Sequence, residues 1–350
     1  MEILPPEKYD EYERFVQTHH MGSITQSVLW HGVKPGWARE VIVSRDESGG
    51  IIGGASVLIR KMPIFGAAMM YCPRGPVCDI HDRAVLSDIK NGADELAKKY
   101  NAYTFKIDPE VKSDDDNFAL LMNDMGFKNF RGGDGFETIQ SRVNFRLYMS
   151  SKNEDEIFAG LSQKTRYNVR VAKKHGVEIK IVGEEMLDEF VRLMRITGER
   201  DGFSVRPKSY FANMLRELGE CCRLYMAFYN GRAISGAITT NYAGKTSYTY
   251  GASDNEHRNV MPNYLLQWEM IRWAIETGCR VYDFHGVPAN PSEGHPLHGL
   301  YRFKKGFGGT LDDGAGEYDY FYRPFLARII DKAITVYELL MSIKRKMVKR

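Results

Sequence analysis

Two stretches of the chain read as the same device: EVIVSRDESGGIIGGASVLIR, residues Glu40–Arg60, and CCRLYMAFYNGRAISGAITTN, residues Cys221–Asn241. Each is a β-rich run, a glycine-centred turn and a second β-rich run. Asn230-Gly231 is the stronger turn signal, because the tight turn that matches strand twist needs positive φ at both central residues. Working outward, each hairpin is followed by another strand-like segment, AAMMYCPRGPV from Ala67 and TSYTYGASDN from Thr246, and then by an amphipathic helix. The first helix is predicted from about Ala84 to Tyr100. The second runs from Pro262 to Thr277, with proline in its first turn and Gly278 just past its end. Leu265, Trp268, Ile271 and Ile275 recur at helical spacing and mark its core face. Each half then closes on a short strand leading to a carboxylate, TFKIDP with Asp108 and RVYDFHG with Asp283.

Helix, hairpin, strand, helix, strand is the order of an acyltransferase-like domain of the GNAT kind. Its occurrence twice predicts an α/β (α+β) protein with tandem GNAT-like domains and a cleft between them. The polar SKNEDE after FRLYMS sets the divider, giving residues 1–148, residues 149–314, and a C-terminal strand and helix over 315–350 that pack back on the first domain. A net charge of +3 does not by itself mark a nucleic-acid binder, so only local clustering can. The five cysteines are scattered without a C-x-x-C pair, which points to free thiols in a reducing compartment and against structural zinc. The start, MEILPPEKYDEYERF, is charged and proline-bearing, unlike a signal peptide, and no apolar run approaches the ~20 residues of a spanning helix. A cytoplasmic location is expected.

Four segments are specific enough to carry a resemblance: LSQKTRYNVRVAKKHGVEI from Leu161, TGERDGF from Thr197, YGASDNEHRNVMPNYLLQWEMIRWAIETGCRVYDF from Tyr250 and GLYRFKKGFGG from Gly299. With weaker echoes in QSVLWHGVK, YCPRGPV and FKIDPEV, the chain resembles the FemABX family of peptidoglycan-bridge aminoacyltransferases over nearly its whole length. The resemblance implies transfer of an aminoacyl group from charged tRNA to an amine on a precursor's stem peptide, with domain 1 on the acceptor side. The staphylococcal branch inserts a long coiled-coil arm in domain 2. This chain has no room for one and looks like the arm-less kind, which leaves the acceptor open between soluble UDP-MurNAc-pentapeptide and its lipid-linked form.

The chemistry needs a neutral amine, a held ester carbonyl and a stabilised oxyanion, and demands no metal or organic cofactor. Lys304 and Lys305 form a basic pair entering a glycine-rich turn, and the resemblance assigns the charge-stabilising role to Lys304, the lysine after Phe303. Asp108 stands where Pro109 halts a strand and matches a family aspartate beside the acceptor, with Tyr103 expected on the same cleft wall. Lys34 and Arg206 are candidates for gripping a diphosphate from two domains. Ser204, Arg206 and Tyr210 keep the family's Thr-x-Arg-x-x-x-Tyr spacing with serine in the threonine place, and Trp37 would cover the uracil or sugar. Tyr248 and Tyr250 alternate, so both are expected on one face of their strand, with Tyr250 matching a substrate-contacting tyrosine.

Arg166, Arg170, Lys173 and Lys174 follow i, i+4, i+7, i+8 on a helix and make one basic stripe suited to tRNA phosphates or simply to solvent; Tyr167, Val169 and Val171 are expected to anchor it. From Arg323 the chain carries eight basic residues against two acidic ones alongside an apolar face. That face fits either an anionic inner leaflet or packing on domain 1, and packing is the expectation. Two rivals remain. A CoA-dependent acyltransferase of the same fold would want a glycine-rich turn where this chain reads HRNVMPN. A non-catalytic tRNA- or precursor-binding protein would have no use for Asp108, Lys304 and Tyr250 together. A monomer is expected.

Overall fold

Asn230 and Gly231 do take positive φ, 49° and 76°, and the hairpin they close is the centre of the second domain. The computed structural model describes residues 1–150 and 152–348, the side chains of 337–348 excepted. Along the first half come β1 (Glu2–Leu4), α1 (Tyr9–Thr18), α2 (Trp30–Val33), β2 (Ala38–Arg45), β3 (Ile51–Met62), β4 (Ala67–Cys72), β5 (Val77–Cys78), α3 (Arg83–Tyr100), β6 (Ala102–Ile107), α4 (Asp116–Asp124) and β7 (Lys128–Phe130). The second half follows with β8 (Val143–Tyr148), α5 (Glu154–Gly160), α6 (Gln163–Lys174), β9 (Glu178–Val182), α7 (Leu187–Asp201), α8 (Lys208–Leu218), β10 (Cys222–Tyr229), β11 (Arg232–Tyr242), β12 (Lys245–Ser253), α9 (Pro262–Glu276), β13 (Val281–Gly286), α10 (His298–Lys305) and β14 (Thr310–Asp313). The chain ends in β15 (Glu317–Phe321) and α11 (Pro324–Val348).

Two mixed sheets result. One runs β1-β2-β3-β4-β6-β15-β7 with β5 paired to β3, and the other runs β14-β8-β13-β12-β11-β10-β9. In each, the strand after the hairpin pairs in parallel with the strand after the long helix, β4 with β6 and β12 with β13. The tandem GNAT-like pattern is therefore a pattern of pairing as well as of order. The parallel β12–β13 ladder ends at Ser247–Asp283 although both strands continue, and the gap that follows is where the site lies.

The sheets also exchange chain. β8 belongs to the second sheet, so the sheet boundary precedes Val143 rather than following Tyr148. β15 returns to the first sheet between β6 and β7, and Ala327 and Ile330 of α11 bury against Ala67 and Tyr103. The basic ends Lys344, Arg345 and Lys346 (side chains) and Lys349 and Arg350 lie outside the described residues.

Amphipathic helices cover each sheet for the expected reason: α3 buries Val85, Leu86, Ile89, Ala93 and Leu96, and Asp82 caps it by accepting from the Ala84 and Val85 amides. In α9, Leu265, Trp268 and Ile271 are buried and Ile275 half-buried, as the spacing predicts. Leu266, Met270, Trp273 and Ala274 are buried too, because α9 is covered by α6 on one side and the sheet on the other. No helix among the described residues is long and apolar enough to cross a membrane. All five cysteines are free thiols, four buried and Cys221 half-buried.

Candidate active site

Two large cavities meet in the second domain's open seam. The first, about 750 Å³, lies between the domains and is lined by Lys34, Trp37, Arg60, Tyr71, Arg206, Tyr210 and Tyr250 among others. The second, about 950 Å³, lies within the second domain and is lined by Lys164, Tyr248, Arg258, Arg302, Phe303 and Lys304 among others. Thr249 and His285 line both, one from each strand of the open β12–β13 seam.

In the interdomain cleft the sequence reading and the geometry agree on a cation cluster. The Lys34 ammonium sits 5.8 Å from the Trp37 ring centre and 5.6 Å from that of Tyr210, and the Arg206 guanidinium sits 5.4 Å from the Tyr210 ring. Burial, with Arg206 and Arg60 as like-charged neighbours, lowers the Lys34 pKa to about 8. Among the described residues none of the three cations has a carboxylate partner within 4.0 Å, so they face an anion-shaped need. Arg60 was not singled out from sequence, because a strand-end arginine looks like any solvated one. Ser204 is exposed and lines neither cavity.

The two tyrosines of β12 part company. A bulge opposite Ile238–Thr239 puts Tyr248 and Tyr250 against neighbouring partners, so alternation is interrupted at Thr249. Tyr248 then faces the second-domain cavity and Tyr250 the cleft, where its hydroxyl lies 3.3 Å from that of Tyr210. Gly251 is required here, since a Cβ would collide with the Tyr248 hydroxyl.

Lys304 and Lys305 also separate. Lys304 is 4% exposed and its Nζ donates to the carbonyls of His285, at 3.1 Å, and Gly286, at 2.7 Å. Burial lowers its pKa to about 7, partly offset by Asp283. Lys305 is exposed and lies 5.6 Å from the Tyr301 ring, outside both cavities. Phe303 lines the second-domain cavity against Tyr264 and Phe307. The glycine turn after them is a packing device: at Gly306 a Cβ would strike the Thr165 hydroxyl, and Gly306 accepts from the Ser162 amide that begins α6.

Asp108 is buried behind the cleft rather than in its wall. Tyr71 Oη donates to it at 2.9 Å and the Arg74 amide at 2.6 Å, and burial raises its pKa to about 7. Tyr71, which does line the cleft, stands between Asp108 and any ligand there. Tyr103 is not on the cleft wall; it packs beneath Ala327 and Ile330, because α11 folds back over β6.

His285 was missed altogether. It has a positive φ of 58°, its Nε2 is buried without a hydrogen-bond partner, and burial lowers its pKa to about 4, so the ring is neutral. Also unforeseen is the ion cluster that joins the domains: Glu110 meets Arg146 (3.1 Å), Lys245 and Arg74 (3.9 Å), and Arg146 meets Asp283 and Asp312.

On α6, Lys173 and Lys174 are exposed and Arg170 lies over the Phe158 ring, but Arg166 is half-buried, donating to the Ala159 and Leu161 carbonyls at the end of α5. Val169, with Ala172, anchors the helix as expected. Tyr167 does not, being 65% exposed beside the basic residues. Among the described residues no group of His, Cys, Asp and Glu is arranged to hold a metal ion.

This architecture has close counterparts. A crystal structure of FemX superposes with a TM-score of 0.86 at 28% identity, covering 94% of this chain and all of that one. A tandem GNAT protein from the clavulanic acid pathway shares the fold alone, at a TM-score of 0.56 and 14% identity over 91% of this chain and 97% of that one. The lipid II:glycine glycyltransferase of Staphylococcus haemolyticus is 30% identical over 92% of this chain and 93% of its own length. That alignment spans 394 positions against a chain of 350 residues, so the relative carries segments that this chain lacks. Among the described residues no helix longer than 15 residues lies between β8 and β14, in keeping with the arm-less kind. The model of the FemAB family matches residues 8–242 and 229–334, across both domains and into α11. Two mixed sheets with one pairing pattern, a relative aligned nearly end to end and a family match of this extent agree: the chain belongs to the FemAB family.

Proposed function

We propose that the chain moves an amino acid from aminoacyl-tRNA onto the stem-peptide amine of a peptidoglycan precursor, with the precursor in the interdomain cleft and the charged tRNA end in the second-domain cavity. The chain is an aminoacyltransferase. The observation that carries the division of substrates is the meeting of two large cavities at Thr249 and His285, with Lys304 tethered to that wall through the His285 carbonyl. Two bulky reactants need holding within reach of each other, and that positioning replaces much of the barrier.

The neutral amine attacks the ester carbonyl carbon. A C–N bond forms, the C–O bond to the ribose breaks, and the amine proton leaves with the ribose oxygen. Lys304, poised between charged and neutral forms near pH 7, supplies positive charge to the developing oxyanion. Lys34, Arg60 and Arg206 grip the acceptor's diphosphate, Trp37 covers the nucleobase or sugar, and Tyr250 and Tyr210 line the path to the seam. Asp108 acts through Tyr71 and orients rather than touches the acceptor. Lys164 lines the donor cavity from the helix that carries the basic stripe, which favours tRNA phosphates running along α6.

The name of the 30% identical relatives, lipid II:glycine glycyltransferase, supports a lipid-linked acceptor for this chain. The test presents each charged tRNA in turn with the UDP-linked pentapeptide and with its lipid-linked forms. Label passing from one charged tRNA to the lipid-linked precursor is the expected result. Transfer from an acyl-CoA, with none from any charged tRNA, would overturn the reading.

A further inference from the structure

Ile64 and Phe325, the two most exposed large apolar side chains among the described residues (92% and 77%), each adjoin in sequence a residue that packs on one small apolar cluster, Phe65 and Leu326. Ile64 is at the tip of the β3–β4 connection. Phe325 is in the first turn of α11, and both segments are tied into one small cluster in which Met62, Phe65 and Leu326 pack on Ala67, Tyr103, Ala327 and Ile330. After Ile330 every residue from Asp331 to Val336 is exposed, Ile334 and Val336 included. Ile329 is exposed as well.

The apolar groups are bordered by cations. Lys61, Arg323, Arg328 and Lys332 are exposed around them, and Asp331 is the one carboxylate on α11 among the described side chains. Apolar side chains ringed by unmatched cations fit an anionic bilayer, where the former enter the acyl boundary and the latter meet headgroup phosphates. A second copy docking through the same patch would set these cations against themselves. The surface is also continuous with the cleft: Met69 packs in the α11 cluster and lines the cleft, and Arg60, beside Lys61, lies 5.7 Å from the Trp37 ring.

We infer that the β3–β4 tip and the outward face of α11 form a membrane-docking surface for anionic bilayers, which sets the cleft mouth at the height of a lipid-borne diphosphate. The inference rests on the lipid-linked acceptor proposed above, but its first test needs no substrate. The full chain is floated with vesicles of phosphatidylcholine alone and with one third phosphatidylglycerol. Binding to the anionic vesicles only, released by salt, is expected. Ile64→Glu/Phe325→Glu should weaken that binding at least tenfold, and Arg328→Gln/Lys332→Gln by roughly thirtyfold, each cation contributing about fivefold. In both variants turnover on the soluble UDP-linked precursor should stay at the wild-type level, while apparent KM for a vesicle-borne lipid-linked precursor rises about tenfold. Equal binding to both vesicle types, or variants that float like wild type, would overturn the surface. So would sedimentation revealing a wild-type dimer that Ile64→Glu/Phe325→Glu dissociates. Vesicle binding that follows these expectations, with no aminoacyl transfer to either acceptor, supports the surface and removes the proposed reaction instead.

Discussion

Asp108 and Glu110 are two residues apart at the end of one strand, both carboxylates withdrawn from water, and they have opposite fates. Around Glu110, burial alone would favour the protonated form, but Arg146, Lys245 and Arg74 together drive its pKa far below the ordinary carboxylate range. Around Asp108 burial wins, and one amide, one phenol and the nearby Arg74 bring the pKa only back to about 7. Lys304 stands on the second side of this divide, with two carbonyls for company and a pKa near 7. Fully paired buried charge holds two domains in register. Charge paired only with dipoles stays responsive to whatever enters next.

The most direct way to break the comparison is Glu110→Gln. It leaves Lys245 buried without its carboxylate and takes one of the partners of Arg146 and Arg74 away at the domain junction, and a loss of about 3–5 kcal/mol in unfolding free energy is expected. Asp108→Asn, removing no ion pair, should cost about 1 kcal/mol or less on the same denaturant curve. Equal losses would erase the distinction. The sign of the pH effect follows: Glu110, depressed in the folded state, contributes stability above its ordinary pKa of 4.5, and that contribution is lost as pH falls below it.

Next in size, Lys304→Met should lower turnover roughly a hundredfold or more, the scale of one missing oxyanion stabiliser. Lys305→Met, one residue on but outside both cavities, should turn over near the wild-type rate. If the exposed lysine is the essential one, burial has misidentified the working charge.

Arg206→Ala sharpens the contrast from the acceptor side. A diphosphate contact is made in ground and transition states alike, so affinity should fall about tenfold or more while turnover at saturation holds. Lys34 adds a pH signature. Its pKa, lowered to about 8 by burial and by Arg206 and Arg60, should rise when an anion binds, so at pH 8 and above binding takes up a proton. Calorimetry in buffers of different ionisation enthalpy reads that uptake, and Lys34→Met should abolish it.

The smallest effect is expected on the donor side. Arg170→Glu/Lys174→Glu should raise the apparent constant for charged tRNA a few-fold and flatten its salt dependence, with acceptor affinity unchanged. Arg166, already committed to the α5 carbonyls, should matter less than either. An unaltered salt slope leaves the stripe as a solvated face.

What could be read in advance was whatever is local. The Asn230-Gly231 turn, Pro262 opening α9 and the repeated order of elements each depend on a few neighbouring residues. Lys34 and Arg206, which both line the cleft, are the exception: they are far apart in sequence, and only the resemblance said which cations to compare. What was hidden depends on partners far away in sequence: Lys245 and Glu110 are 135 residues apart, and nothing near either announces the other. Tyr103 was assigned to the cleft because α11, which covers it, is encoded more than two hundred residues later. Tyr248 and Tyr250 were given one face because alternation is the default and a bulge leaves no local mark.

The position of β15 has a consequence for how the protein is made. Residues 317–321 fill the space between β6 and β7, and β6 is finished at Ile107. At the usual 5–20 residues per second, roughly ten to forty seconds of translation separate them. For that interval the emerging amino-terminal half carries an unpaired strand edge at β6, a template for any other extended chain nearby. Truncation before Glu317 would make that condition permanent, so a carboxy-terminal nonsense mutation should damage solubility through the domain synthesised first.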